Sequence, residues 1–182
     1  FSSFFMFKIN LCYSQFNREW VSFYKGPTRD NYARLLALDA FGNIYISGIS
    51  YGVSTEPKIA TVKYNSSGNQ KWVQRDSKGD EVYDIAVDSS GNVYLTGSTF
   101  SSEDYEDYFT IKYDSSGIQQ WANIYNSFEN HDDISNSIAI DKRGNVYVTG
   151  GSYGNGSYLD YATIKYNSLG IEQWVQRYNG TG

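Results

Sequence analysis

Asp84-Ile85-Ala86-Val87-Asp88-Ser89-Ser90-Gly91-Asn92-Val93-Tyr94-Leu95-Thr96-Gly97 places two runs of β-branched and apolar residues on either side of a polar pentapeptide. Such runs favour strands. The pentapeptide suits a tight turn, because an Asp side chain accepts hydrogen bonds from the turn backbone and Gly tolerates positive φ. Two further runs follow, Phe109-Thr110-Ile111-Lys112-Tyr113 and Gln120-Trp121-Ala122-Asn123-Ile124-Tyr125, joined by Asp114-Ser115-Ser116-Gly117. The four runs form one antiparallel unit with no helix-period segment inside it.

The unit occurs three times. Gly42, Gly91 and Gly144 each open a Gly-Asn-apolar-Tyr frame, and each is followed 30 residues later by a tryptophan, Trp72, Trp121 or Trp174. Lys63, Lys112 and Lys165 lie 21 residues after the same glycines, while Asp39, Asp88 and Asp141 lie three before them. Four strands repeated at about 50 residues predict an all-β β-propeller array of three four-stranded antiparallel blades. Residues 16–23, around Trp20, match a fourth strand with no first three before it, which reads as an orphan N-terminal strand from a larger propeller. The predicted partition is a truncated signal peptide at 1–14, the orphan outer strand at 15–23, and blades at 24–75, 76–125 and 126–180.

The interval from each Trp to the next repeat glycine varies, at 22, 19 and 23 residues. All length variation therefore falls between a fourth strand and the next first strand. Because strands alternate in direction, this connection shares a face with the loops joining second to third strands, which differ in sequence at Ser50–Lys58, Thr99–Asp107 and Ser152–Asp160. The opposite face, carrying the Asp-x-x-Gly hairpins, is uniform. Repeat proteins bind with the face that varies.

The 182 residues carry a net charge of −5 with no Lys/Arg run, which argues against nucleic acid and anionic membranes as partners. Phe1–Leu11 is apolar and is followed by Cys12-Tyr13-Ser14, which reads as the end of a secretory signal peptide. Cleavage after Ser14 would leave a mature chain without cysteine and without a membrane span, since Cys12 is the only Cys.

Ile85-Ala86-Val87-Asp88 with Gly91-Asn92-Val93-Tyr94-Leu95-Thr96-Gly97, Asp160-Tyr161-Ala162-Thr163-Ile164-Lys165-Tyr166, and Trp72-Val73-Gln74-Arg75 resemble the seven-bladed β-propeller repeat (SBBP) proteins of bacterial cell surfaces. The resemblance covers about residues 20–180 as three consecutive copies. It implies a propeller that is usually exported to the cell surface or secreted, and it implies no catalytic motif. The first copy departs most, with Lys58-Ile59-Ala60-Thr61 at the start of its third strand.

Asp80, Glu81, Glu103, Asp104, Glu106, Asp107, Asp132 and Asp133 map to the variable face and are the candidate ligand-binding residues. Carboxylate clusters suit Ca²⁺, but no Asp-x-Asp-x-Asp-Gly loop is present, so a solvated acidic rim is the simpler reading and no cofactor is expected. His131 is the only His, and no nucleophile elbow or Gly-rich phosphate loop occurs, so no catalytic residue is assigned. The Trp and Lys that recur once per repeat read as packing anchors, each Lys stem lying along aromatic rings. Ala37, Ala86 and Ala139 share one slot in the first strand, where crowding near the axis would demand a small side chain. The leading functional reading is an exported binding scaffold whose variable face meets a protein, a glycan or a small polar ligand. The alternatives are a hydrolase- or lyase-type enzyme with a central-channel site completed by further blades, and a rigid spacer in a large surface protein.

Overall fold

The structure is a computed structural model that describes residues 19–26, 30–52, 57–100, 105–127, 131–154 and 159–179. The expected signal peptide lies outside these residues. The described residues hold twelve strands and no helix, hence no helix long and apolar enough to cross a membrane. Blade 1 comprises β1 (Asn31–Leu38), β2 (Ile44–Tyr51), β3 (Pro57–Tyr64) and β4 (Gln70–Asp76). Blade 2 comprises β5 (Glu81–Val87), β6 (Val93–Phe100), β7 (Glu106–Tyr113) and β8 (Gln119–Tyr125). Blade 3 comprises β9 (Asp133–Ile140), β10 (Val146–Tyr153), β11 (Leu159–Tyr166) and β12 (Glu172–Tyr178). Each blade is a separate four-stranded antiparallel sheet in chain order, with β1 packed against β5 and β5 against β9 at the inner edges, and the three sheets do not close into a ring.

Turn chemistry fixes the hairpins. At five of the six, an Asp or Asn side chain accepts the N–H groups two and four residues on, as Asp88 does from Ser90 and Asn92 at 2.9 and 3.0 Å, and at the sixth Asn65 accepts the N–H of Asn69 at 2.8 Å. A glycine at positive φ then closes the turn, Gly91 at +77° and Gly117 at +86° in blade 2. These sharp turns hold the uniform face in one geometry.

Blade packing explains why apolar and polar residues do not alternate cleanly. In β7, Phe109, Ile111 and Tyr113 join Tyr45 and Ile59 of blade 1 in one core, while Tyr108 joins Ile138, Val146, Val148, Ala162 and Ile164 of blade 3 in another. A central blade buries both faces, so both parities are apolar.

The tryptophans clamp consecutive blades. Trp72 lies on Gly117 of blade 2 and donates its indole N–H to the Ser115 carbonyl at 3.1 Å, and Trp121 does the same to Gly170 and Ser168 at 3.3 Å. Lys63 and Lys112 donate to the same two carbonyls at 3.1 and 3.2 Å, with each ammonium over its blade's Tyr45 or Tyr94 ring. Residues 19–26 form no ladder among the described residues and so are not a strand there. Their side chains nonetheless dock on blade 1 as a preceding blade's outer strand would. Trp20 covers Gly68 and donates to the Ser66 carbonyl at 3.1 Å, and Tyr24 accepts from Arg75 at 2.8 Å.

Each inner strand carries a β-bulge at one equivalent residue, Arg34, Tyr83 or Asn136, where the register with the second strand shifts. The glycine opposite is obligatory. A Cβ on Gly48, Gly97 or Gly150 would sit 1.9–2.0 Å from the carbonyl oxygen of Tyr32, Glu81 or Ile134. Among the described residues the alanine slot is not crowded: Ala139 is exposed and Ala37 and Ala86 are half-buried.

Candidate functional site

The second strand of each blade runs outward to the variable face and ends in an aromatic residue, Tyr51, Phe100 or Tyr153. The chain then returns to the inner edge of the next blade, bringing Asp80 and Glu81 beside the start of β1. Here Tyr32, Arg34, Ile49, Tyr51, Asp80 and Glu81 line a cleft of about 290 Å³. The Tyr32 and Tyr51 rings meet edge to face at 6.4 Å. The Arg34 guanidinium, re-aimed by the bulge, pairs with Glu81 of the next blade at 2.5 Å. Asp80 is held by the Phe100 N–H at 2.8 Å and the Thr99 hydroxyl at 3.2 Å, which fixes its carboxylate at the cleft wall. The cleft thus combines two aromatic faces, a guanidinium and two carboxylates across the junction of blades 1 and 2.

The other predicted acidic residues do not gather there. Glu106 accepts a hydrogen bond from the bulged Tyr83 at 3.4 Å, and its N–H donates to Asp132 at 3.1 Å. Asp133 is fully buried (0% exposed) and accepts the Ser127 N–H at 2.5 Å. Asp107 is also buried, at 6% exposed, so neither belongs to a solvated rim. Both sit on strands, Asp133 at the start of β9 and Asp107 in β7, which begin earlier than the sequence suggested and draw these carboxylates into the blades. Glu103 and Asp104 lie outside the described residues. Among the described residues no three His, Cys, Asp or Glu side chains are grouped as a metal site would be. His131 sits between the Tyr105 ring at 5.6 Å and the Tyr153 ring at 5.3 Å.

Asp107 differs instructively from its counterpart in blade 3. There Asp160 faces Arg177 at 3.7 Å, and Arg177 spans β11 to the Ser152 carbonyl at 2.7 Å and the Tyr125 hydroxyl at 3.3 Å. Arg75 makes the matching contacts in blade 1, to Ser50 and Tyr24. In blade 2 the arginine slot holds Ile124, the Tyr125 slot of the preceding blade holds Asp76, and Phe109 fills the space that Ala60 and Ala162 leave open in the other blades. Asp107 therefore lacks that guanidinium. Burial, then the negative charge of Asp133, pushes its carboxyl up to about 6.

A larger cleft of about 560 Å³ opens on the uniform face between blades 2 and 3, lined by Asp88, Lys112, Asp141, Lys142 and Arg143 among others. Its carboxylates are committed to the turns. Asp141 accepts from the Asn145 amide at 2.7 Å, from the Asn145 and Arg143 N–H groups and from the Tyr147 hydroxyl, which holds it down at about 2. Burial alone would raise the Asp88 carboxyl, but the equivalent bonds from Asn92, Tyr94 and Ser90 outweigh it and leave it below its ordinary value. Because the two carboxylates recur in every blade they serve the turns, and the smaller cleft, which adds two aromatic rings to its carboxylates and guanidinium, is the better ligand site.

Arg34, Tyr32 and Tyr51 were not singled out by the sequence. The signal available was positional: Arg34, Tyr83 and Asn136 each stand three residues before the repeated alanine and differ in every copy.

Residues 75–103 and 122–156 match the family model described as SBBP, Beta-propeller repeat. Each match runs from an outer strand, through the blade-to-blade connection and across the bulge, to the end of the next second strand. No curated protein matches the chain. Sheet order, turn chemistry and these two matched stretches agree: the described residues form propeller-like four-stranded blades, and residues 75–103 and 122–156 are similar to the SBBP β-propeller repeat.

Proposed function

We propose that this chain is an exported binding scaffold that presents its variable face to a glycan or other small polyhydroxylated ligand, with the cleft at the junction of blades 1 and 2 as the contact point. The observation that carries the reading is the pairing of Tyr32 and Tyr51 with Arg34, Asp80 and Glu81 around about 290 Å³. Aromatic rings stack on the apolar face of a sugar, and fixed carboxylates and a guanidinium bond its hydroxyls; ligand sites combine apolar area with a few placed polar groups in this way. The net charge of −5 disfavours anionic ligands. The apolar Phe1–Leu11 leader supports export.

The test is a glycan array followed by calorimetry on the best binder. Tyr51→Ala and Asp80→Asn should each weaken binding roughly tenfold or more, about 1.4 kcal/mol. Binding that survives both substitutions unchanged would place the ligand elsewhere. A titration of the same protein with Ca²⁺ alone separates a sugar site from a cation site.

A further inference from the structure

Among the described residues, Asp107 Oδ1, Ser127 Oγ and Asp133 Oδ1 are buried side-chain oxygens without a hydrogen-bond partner. All three belong to the junction of blades 2 and 3. Asp133 accepts the Ser127 N–H at 2.5 Å through its other oxygen, which holds these two residues together. The Glu106 N–H donates to Asp132 at 3.1 Å, so the residues that follow them, Asp107 and Asp133, come to one corner where β7 packs on β9. The pairing of Tyr108 with Tyr125 brings the end of β8, and Ser127 just beyond it, to the same corner. The negative charge of Asp133 reaches Asp107 there. The three residues are 6%, 9% and 0% exposed at 107, 127 and 133. Carboxylate oxygens this deep are costly unless a hydrogen bond or a counter-charge meets them.

Equivalent positions in the other blades show how that cost is met elsewhere. Asp80, the counterpart of Asp133 in blade 2, takes the Phe100 N–H and the Thr99 hydroxyl, and in blade 1 the position is the neutral Asn31, which accepts from the Ser50 hydroxyl. Asp160, the counterpart of Asp107 in blade 3, faces Arg177, and in blade 1 the position is Lys58. Among the described residues neither Asp107 nor Asp133 forms an ion pair with Lys or Arg. Arg177 spans the same junction, but its guanidinium is committed to Asp160, to the Ser152 hydroxyl and carbonyl and to the Tyr125 hydroxyl. A water molecule at the corner would satisfy hydrogen bonds and leave two negative charges unmatched.

We propose that this corner is a Ca²⁺ site, with Asp133 Oδ1, Asp107 Oδ1 and Ser127 Oγ as protein ligands and water completing the shell. Two carboxylates and a hydroxyl are the donors of a hard cation, and Ca²⁺ accepts irregular shells of roughly six to eight oxygens where Mg²⁺ demands an octahedron. The ion enters from the variable face, where Asp132 is only half-buried. It neutralises both carboxylates and ties β7 and Ser127 of blade 2 to β9 of blade 3. The site stands apart from the cleft between blades 1 and 2 and does not depend on a sugar binding there.

Calorimetry and thermal unfolding of the EDTA-treated 182-residue chain, with CaCl₂ as the only addition, test this. The wild type should bind one Ca²⁺ with a Kd of roughly 0.1–1 mM, the range of extracellular modules, and a hundredfold excess over Kd should raise Tm by roughly 5–10 °C. Asp133→Asn keeps an oxygen for the Ser127 N–H and so keeps the fold, which circular dichroism verifies. It should weaken Ca²⁺ binding roughly tenfold or more, and Ser127→Ala should weaken it less. Asp107→Asn is the second variant: its stability without Ca²⁺ rises as the repulsion is removed, while its response to Ca²⁺ falls tenfold or more, an opposition that a purely structural carboxylate would not produce. Asp80→Asn and Tyr51→Ala should bind Ca²⁺ as the wild type does. A wild-type Tm unmoved by about 10 mM Ca²⁺ overturns the proposal. So does an equal gain from Mg²⁺, so does undiminished binding by both Asp133→Asn and Asp107→Asn, and so does a loss confined to Asp80→Asn, which would put the ion in the other cleft.

Discussion

Replacing Gly117 by Ala should cost far more than replacing Gly91 by Ala, although both glycines close hairpins of blade 2 at positive φ, +86° and +77°. The backbone term is shared, about 1–2 kcal/mol for an L-residue forced into the left-handed region. The surroundings differ. A Cβ on Gly91 meets the Tyr45 hydroxyl at 3.2 Å, the far end of a side chain that can yield by a few tenths of an ångström. A Cβ on Gly117 lies 2.8 Å from the Trp72 indole, a ring flanked by Tyr45 at 6.1 Å and Tyr113 at 6.3 Å that cannot yield by a bend at its tip as a side-chain end can. Overpacking of this kind costs about 1–3 kcal/mol, and tilting the indole also strains its bond to the Ser115 carbonyl, worth about 1 kcal/mol. Gly117→Ala should therefore lose roughly 2 kcal/mol more than Gly91→Ala, or about 4–8 °C in Tm for a chain of this size. Urea titration followed by circular dichroism gives the difference, and tryptophan fluorescence reports whether the indole moves. Equal losses in the two variants would refute the idea that the Trp contact, rather than the turn alone, requires glycine.

Asp107→Asn should stabilise the protein at pH 7. The folded carboxyl titrates near 6, above its unfolded value, so the native state binds the extra proton between about pH 4 and 6 and stability from this group falls as pH rises through that window; the gain is on the order of 2 kcal/mol. A urea midpoint at pH 7 no higher than wild type would contradict that burial. Asp141 has the opposite sign: its folded pKa of about 2 lies below the unfolded one, so its contribution is present above about pH 4 and lost as pH falls toward 2. Asp141→Asn should lower the urea midpoint at pH 7 and flatten the acid limb, and parallel acid limbs would count against the turn assignment. Trp121→Ala should cost about 2–4 kcal/mol, because the ring is only half-buried. Since Lys112 donates to the same Ser168 carbonyl, a double-mutant cycle with Lys112→Met should be non-additive by about 0.5 kcal/mol or more. Additive losses would mean the two donors act independently.

The constant spacing from Gly91 to Trp121 makes the blade legible in the sequence, because one end of that interval is a turn that only Gly closes and the other is the ring that rests on the next blade. The acidic residues were harder to read. Asp107 and Asp133 look like loop carboxylates in a polar stretch, and only the extended pairing of β7 with β6 and of β9 with β10 carries them inside. The cleft was hidden for a different reason. Arg34 reaches it through a bulge, and a bulge is a property of two paired strands that no single run of residues declares. The docking of residues 19–26 was legible in the match of Trp20 to the other tryptophans.

The two internal junctions differ in chemistry, with Asp76, Phe109 and Ile124 at one and Tyr125, Ala162 and Arg177 at the other. Gene rearrangement would feel that difference. Excising one period so that blade 1 runs directly into blade 3 would bring Arg177 opposite Asp76, replacing a hydrogen bond to a hydroxyl by an ion pair. Duplicating blade 2 would instead set Phe109 against Tyr125, in a seam with no guanidinium at all. Loss of blade 2 and gain of a second blade 2 are therefore not mirror images in this protein.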